Sequence, residues 1–334
     1  MSIIDQRYEP VEEGAGPSIR TLSKCCERQI VRRRRSSGTI YAGDFCIRTT
    51  IDVGRAPRLQ GVAGMIERIA VLGDAHVGGI LDMSITGNEL VVITRYQRRT
   101  LSNMDTGGPV GEAFALKVIA QVGSGLLNVY RGSRPLFEKL APVHADVCAL
   151  DENDDDLVVD ILDMLLCENV DPTQTVDDES VIVWAPERVE QRSSTTPRDQ
   201  DDTKAQVWAL AVTVYKLAAA SAPWHGSSPL EVMRKLVDDP PEPIPDTFST
   251  DFRDLLLNRM LAKDRHERIS LAELVELPIL SPYLRQPPGD PPPTDVGLHP
   301  GAVADASSSE GGDDPAADDD DDVADAGAPA CRIQ

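Results

Sequence analysis

Three groups of side chains in this 334-residue sequence have a type and spacing that could do chemistry directly. The first is the terminal tetrapeptide Cys331-Arg332-Ile333-Gln334, which fits the pattern for prenylation of its cysteine, the final Gln favouring farnesyl. Pro329 and the acidic stretch before it supply the exposed approach a prenyltransferase needs. One lipid anchors weakly and an acidic tail is repelled by anionic headgroups, so membrane contact through Cys331 is expected to be weak and reversible. The second is Asp154-Asp155-Asp156, whose spacing lacks the ligand pattern of a calcium loop and reads as an exposed turn. The third is Arg32 to Arg35, either a solvated loop or a contact for anions or a protein. Six cysteines show no metal-ligand spacing, and the adjacent pair Cys25-Cys26 suits free thiols in a reducing compartment. A cytoplasmic location, with peripheral membrane association through the tail, is the expectation.

The elements that must position any such groups lie upstream of Gln286. Beyond that residue stand twelve acids and a single base, Arg332, which together carry half of the formal net charge of −22. The rest of the chain is only mildly acidic, which argues against nucleic acid as a partner. A hydrophobic content of 41% can fill a real core in a chain of this length. No apolar run reaches the roughly 18 residues a membrane span requires. The start, Met1-Ser2-Ile3-Ile4-Asp5, does not read as a signal peptide, and Ser2 excludes N-myristoylation.

Residues 1–28 lack periodicity and are expected to form a loose arm. Strands are expected from Gln29 to Thr50, and Leu90-Val91-Val92-Ile93 reads as a buried strand introduced by a turn at Gly87-Asn88. Apolar spacing predicts helices over 59–72 and 113–130, and again over 204–219, 229–237, 252–262 and 270–276. Residues 284–334 are Pro, Asp, Gly and Ser, too polar to fold alone.

Four separated stretches then carry a pattern: Trp184-Ala185-Pro186-Glu187, the run Val207 to Val212 containing Trp208, the turn Ala222-Pro223-Trp224, and Met260-Leu261-Ala262-Lys263-Asp264 followed by Arg268-Ile269-Ser270. Together they resemble the large lobe of the eukaryotic-type protein kinase superfamily, of the Ser/Thr kinase-like kind. The resemblance covers about Gln29 to Tyr283 and is more specific in its second half. It implies an α+β, two-lobed protein kinase-like fold, with a small strand-rich N-lobe over about 29–96 and a larger helical C-lobe over about 97–283. It also implies a buried salt bridge between Glu187 and Arg268, with Trp208 as part of the same scaffold. Breaking such a pair costs about 3–5 kcal/mol, a reason for both ends to persist even without catalysis.

Phosphoryl transfer asks the protein for positioning and charge neutralisation, usually around ATP and Mg²⁺, so the resemblance also implies where each part should sit. The phosphate-covering loop is matched best by Arg33 to Tyr41, where only Gly38 of three glycines remains. Phe45-Cys46-Ile47-Arg48 resembles the strand that carries the phosphate-binding lysine, with Arg48 in its place and Glu67 as the helical partner that would pair with it. Thr94 and Tyr96 fall in the adenine-side hinge. His144-Ala145-Asp146 resembles the catalytic loop, with Asp146 as candidate base. Beyond it two registers stay open. In one, Cys148 stands for the loop lysine and Asp151 for the metal-binding Asn; in the other, Val147 to Leu150 form the next strand and the loop is deleted. Asp163, in Asp163-Met164-Leu165, resembles the metal-binding Asp, with Asp160-Ile161-Leu162 as the alternative. Ser180 falls where Ser/Thr-directed members keep a hydroxyl. Gln206 replaces an Asp that accepts from the catalytic loop, and Ala211 replaces a Gly. The expected function is that of a pseudokinase: a scaffold or allosteric partner of another kinase or signalling protein. The alternative is a divergent active serine/threonine kinase.

Overall fold

The computed structural model describes residues 3–11, 26–34, 45–54, 63–72, 74–97, 99–104, 107–151, 156–170, 182–191 and 202–284. Its N-terminal part is a five-stranded antiparallel sheet. The strands are β1 (Tyr8–Pro10), β2 (Cys26–Arg33), β3 (Phe45–Asp52), β4 (Ile80–Thr86) and β5 (Glu89–Arg95), in the spatial order β1-β2-β3-β5-β4. Helix α2 (Ala63–Leu72) joins β3 to β4, and the two residues Gly87-Asn88 join β4 to β5. Gly87 has φ of +61°, which a tight hairpin turn asks of its first central residue and which glycine adopts without a Cβ clash.

Side chains alternate across a sheet, and the pairing register assigns each one to a face. Cys26, Ile51, Leu90 and Val92 point to the main core together with Ile66 of α2. Val31, Cys46, Val91 and Ile93 point the other way, into a separate cluster closed by Ile4 and Tyr8. Both faces of β5 are therefore covered, which explains its unbroken run Leu90-Val91-Val92-Ile93. It also corrects the expectation of a loose arm for residues 3–11 and 26–28, the described part of 1–28. Helix α1 (Ile3–Arg7) and β1 are the lid of the outer cluster, with Ile4 and Tyr8 both buried.

The C-terminal part is mainly helical. Helix α3 (Glu112–Gly132) runs through its centre, followed by α4 (Arg134–Phe137), a 3₁₀ turn Ala145–Val147, the hairpin β6 (Cys148–Leu150) and β7 (Leu157–Val159), and α5 (Ile161–Val170). Then come α6 (Pro186–Gln191), α7 (Asp202–Ala219), α8 (Pro229–Asp238), α9 (Thr250–Arg253) continuing as a π turn Asp254–Met260, and α10 (Leu271–Val275). Local chemistry starts several of these helices. Ser228 caps α8 through Glu231 N–H (3.3 Å) with Pro229 in its first turn, and Ser270 with Glu273 forms a capping box on α10.

By length and composition α3 could cross a membrane, contrary to the expectation that no segment reaches that size. Two thirds of its most apolar window is buried, which is the position of a core helix. It also meets the hairpin. Gly125 lies so close to the turn before β4 that a Cβ would come within 2.5 Å of His76 O. His76 in turn donates from Nδ1 to Leu157 O (3.1 Å), and its carbonyl accepts from Val159 N–H (2.9 Å). Buried Gln121 of α3 accepts from Leu157 N–H (2.8 Å) and donates to Asp156 Oδ1 (2.7 Å). The antiparallel sheet followed by a helical body is the expected α+β, two-lobed, kinase-like fold.

Candidate functional site

Strand parity decides the first question at this site. Arg48 shares the outer face with Cys46, away from α2, and its guanidinium donates to Asp5 Oδ1 of α1 (2.8 Å). The expected pair with Glu67 is therefore not formed; Glu67 is exposed on α2. The inner-face neighbour on β3 is Thr49, fully buried, with an unpartnered Oγ1. A one-residue difference in register moves every side chain to the opposite face, so resemblance along the string alone misplaced this cation.

The cation that does reach the inner face is Arg28 of β2, paired across the ladder with Thr49. Its side chain is 6% exposed, and it binds both carboxylate oxygens of Asp163, one by a 3.2 Å bond from Nη1 and the other by a closer contact from Nη2. Asp163 lies in the first turn of α5. Asp160, just before that helix, accepts from Asp163 N–H (3.0 Å) in the manner of an N-cap. Burial raises the Asp160 carboxyl above the usual carboxylate range, opposed by the nearby charge of Arg28. Thus the residue expected to hold a metal ion is already held by a guanidinium. Ile161, Leu162, Met164, Leu165 and Leu166 are all buried, so Asp163 sits in a helix anchored in the core where the resemblance implied an Asp-Phe-Gly-like turn.

The second catalytic-loop register is the one adopted. Only Val147 separates Asp146 from β6, and Cys148 is the first residue of that strand. Its thiol is fully buried, and burial, reinforced by the charge of Asp146, pushes it up to about 12. Cys148 cannot stand in for a phosphate-binding lysine. Asp151 closes the hairpin instead of offering a metal site: its N–H donates to Asp156 O (2.7 Å) and its Oδ1 accepts from Asp156 N–H (3.1 Å). Asp146 itself is exposed and accepts from Ser102 Oγ. At the hinge, Thr94 is buried on the inner face, and Tyr96 N–H donates to Phe45 O (3.2 Å). Gly38, Ser180 and Cys331 lie outside the described residues, as do Asp154 and Asp155. Gly38 falls in sequence between β2 and β3, whereas the connection between β1 and β2 spans 11–25 and contains Gly14 and Gly16.

The framework beneath the site is well connected. Buried Gln206 accepts from Val143 N–H (2.9 Å) and donates to Ala141 O (2.9 Å). The loop-bracing acceptor expected to be lost with the Asp is thus still present, because an amide oxygen serves a backbone N–H as well as a carboxylate does. Arg268, 1% exposed, grips Glu187 of α6 through both Nη atoms (2.8 and 3.0 Å). Its remaining donors reach Ala262 O (2.9 Å), Lys204 O (3.1 Å) and Lys263 O (3.3 Å), so all five are used. Its plane lies 4.9 Å from the Trp208 ring, which stacks on Trp224 at 5.4 Å.

Two residues of this arrangement, Arg28 and Asp5, were not singled out from the sequence. Arg28 could have been found from the strand parity it shares with buried Cys26 and Ile30. Asp5 had no signal, since the helix that carries it is too short to show a period.

No family model matches the chain. Among curated proteins, it is 32% identical over 104 residues to the dual specificity mitogen-activated protein kinase kinase hemipterous of Drosophila melanogaster, 30% of this chain and 8% of that one. It is 37% identical over 82 residues to serine/threonine-protein kinase 10 of Rattus norvegicus, 24% of this chain and 8% of that one. It is 32% identical over 82 residues to the dual specificity mitogen-activated protein kinase kinase sek-1 of Caenorhabditis elegans, 24% of each. The matches thus span between 8% and 24% of these relatives' lengths. With the fold, they support a protein kinase-like domain in this chain.

Proposed function

We propose that this chain is a pseudokinase, a kinase-like domain that works by binding another kinase or signalling protein as scaffold or allosteric regulator. The observation that carries this reading is the Arg28–Asp163 pair. A metal ion at Asp163 would have to displace a nearly buried guanidinium from both carboxylate oxygens, and separating such a pair is costly. ATP and Mg²⁺, which the resemblance implies, fit these residues poorly. Among the described residues no three carboxylate, imidazole or thiol groups converge as metal ligands, Arg48 faces away, and no loop lysine or Asn separates Asp146 from β6. A cytoplasmic location and weak, reversible membrane contact through a lipidated Cys331 belong to the same proposal; mass spectrometry of the native C-terminus tests the lipid.

A second reading, a divergent serine/threonine kinase, draws on exposed Asp146 and on the relatives, which are kinases by name. One experiment separates the two. Thermal unfolding is followed with and without Mg-ATP, since ligand at a hundred times its dissociation constant adds about 2.7 kcal/mol, and phosphate transfer to protein is compared between the native chain and Asp163→Asn. The pseudokinase reading expects no shift and no transfer. Transfer that the Asp163→Asn change abolishes would establish the second reading instead.

A further inference from the structure

The outer face of the sheet carries the second apolar cluster, and its cover is slight. Helix α1 has five residues and β1 three, and together they bury two large apolar side chains, Ile4 and Tyr8, over Val31, Cys46, Val91 and Ile93. Strand β1 pairs on one side only, along β2, and Pro10 brings no N–H to that ladder. Backbone bonds close its two ends, from Arg34 N–H to Arg7 O (2.8 Å) and from Val11 N–H to Ile30 O (3.1 Å). Three ion pairs add to these: Asp5 with Arg48 (2.8 Å), Arg7 with Asp82 (3.1 Å) and Glu9 with Arg32 (2.9 Å). All three reach solvent, where such pairs contribute little. The floor beneath is firmer. Strands β2, β3 and β5 pair over seven residues at each ladder, and their inner face rests on the main core.

We propose that Ile3–Pro10 is a detachable strap, and that the face it covers is a docking site for a partner protein's segment of the same apolar and acidic character. What the strap leaves behind defines what replaces it. Its departure uncovers the apolar floor, turns β2 into an unpaired sheet edge, and strips Arg48 and Arg32 of their carboxylates and Asp82 of its arginine. An open strand edge takes up an extended peptide through main-chain hydrogen bonds, and the floor takes its apolar side chains. The rim loses two anionic partners and one cationic one, so it favours an occupant of net negative charge. The strap's own sequence shows the pattern, with Asp5 and Glu9 each following a buried apolar residue. The inference goes beyond the pseudokinase reading and does not depend on it.

Thiol labelling of the full chain tests it, because Cys46 lies under the strap, whereas buried Cys26 and Cys148 belong to the main core. The chain is treated with N-ethylmaleimide without denaturant, and each thiol is followed by peptide mass spectrometry. Cys46 is expected to react faster than Cys26 and Cys148, since a weakly held unit opens ahead of the whole. Ile4→Asp should speed Cys46 about tenfold or more, because a charge has no place in that cluster. Arg48→Ala should speed it about twofold to fivefold, the scale of one partly exposed pair. Both reference thiols should keep their native rates. An acetylated and amidated peptide of residues 3–11 should return the Ile4→Asp variant toward the native Cys46 rate, and the same peptide carrying Ile4→Asp should not. The proposal fails if Cys46 reacts no faster than Cys148, or if Ile4→Asp leaves Cys46 unchanged. It fails equally if that variant speeds all three thiols together, for the strap would then open only with the whole fold. A native peptide that gives no protection overturns the docking site.

Discussion

Two nearly buried arginines, Arg268 in the helical body and Arg28 in the sheet, each grip a carboxylate with both terminal nitrogens, yet they do opposite things. Arg268 has every donor satisfied and ties α6 to the loop before α10, as the resemblance implies. Arg28 comes from a strand where no such cation was expected, leaves its Nε unpartnered, and pairs with the carboxylate that the resemblance matches to a metal ligand. The same chemical pair ties two segments of the helical body together in one place and occupies a candidate-site carboxylate in the other. A fold can therefore keep its structural ion pair while the carboxylate at its candidate site is held by a side chain from the sheet.

The contrast can be broken most severely at Glu187. Replacing it with Ala strands the Arg268 charge in the core, with an expected loss of about 3–5 kcal/mol, read as a fall in the urea midpoint. If that loss were under about 1 kcal/mol, a scale typical of exposed pairs, the scaffold half of the comparison would fail. Gln206→Ala comes next. It leaves Val143 N–H and Ala141 O buried without partners, at about 1–3 kcal/mol for each unsatisfied group, whereas Gln206→Asp keeps the acceptor and should lose less. Arg48→Ala sharpens the cleft half: its pair with Asp5 is partly exposed on the outer face, so the change should cost less than about 1 kcal/mol and leave any nucleotide response untouched. A large nucleotide effect from Arg48→Ala would mean that the cation works on the inner face after all.

The smallest expected effect is on alkaline stability. Burial, aided by Asp82 at Tyr8 and by Glu242 at Tyr215, pushes both phenols up to about 12, and Cys148 is also pushed up to about 12. The folded chain therefore holds protons that the unfolded chain releases near the ordinary values of 10.0 for Tyr and 9.0 for Cys. Stability should be intact below about pH 9 and decline as pH rises toward about 12. Urea midpoints at successive alkaline pH values will show whether the slope has this sign.

How much of this was legible beforehand differs along the chain. Glu187, Trp208 and Arg268 could be read because their spacing is long, specific and tied to bulky or charged side chains. The helices of the C-terminal part could be read because their apolar residues recur over several turns, as in α3 and α7. The sheet was less legible: in β3 buried or partly buried residues stand on both sides of Arg48, so its face could not be read locally, and the parity that Arg28 shares with buried Cys26 and Ile30 says nothing of its partner. The eight residues that close the outer cluster, Ile3 to Pro10, were illegible for a different reason, since one short helix turn and three strand residues show no period.

By itself the order of residues determined that a kinase-like body would form, where its longer helices run apart from α5, and that the loop lysine and Asn would be missing. Local periodicity and individual side-chain chemistry suffice for such statements. Only the tertiary structure decided which arginine meets Asp163, that Arg48 turns outward to Asp5, and that Gln206 keeps bracing the loop. Those outcomes depend on strand parity and on contacts between residues up to 135 positions apart, which no local pattern encodes.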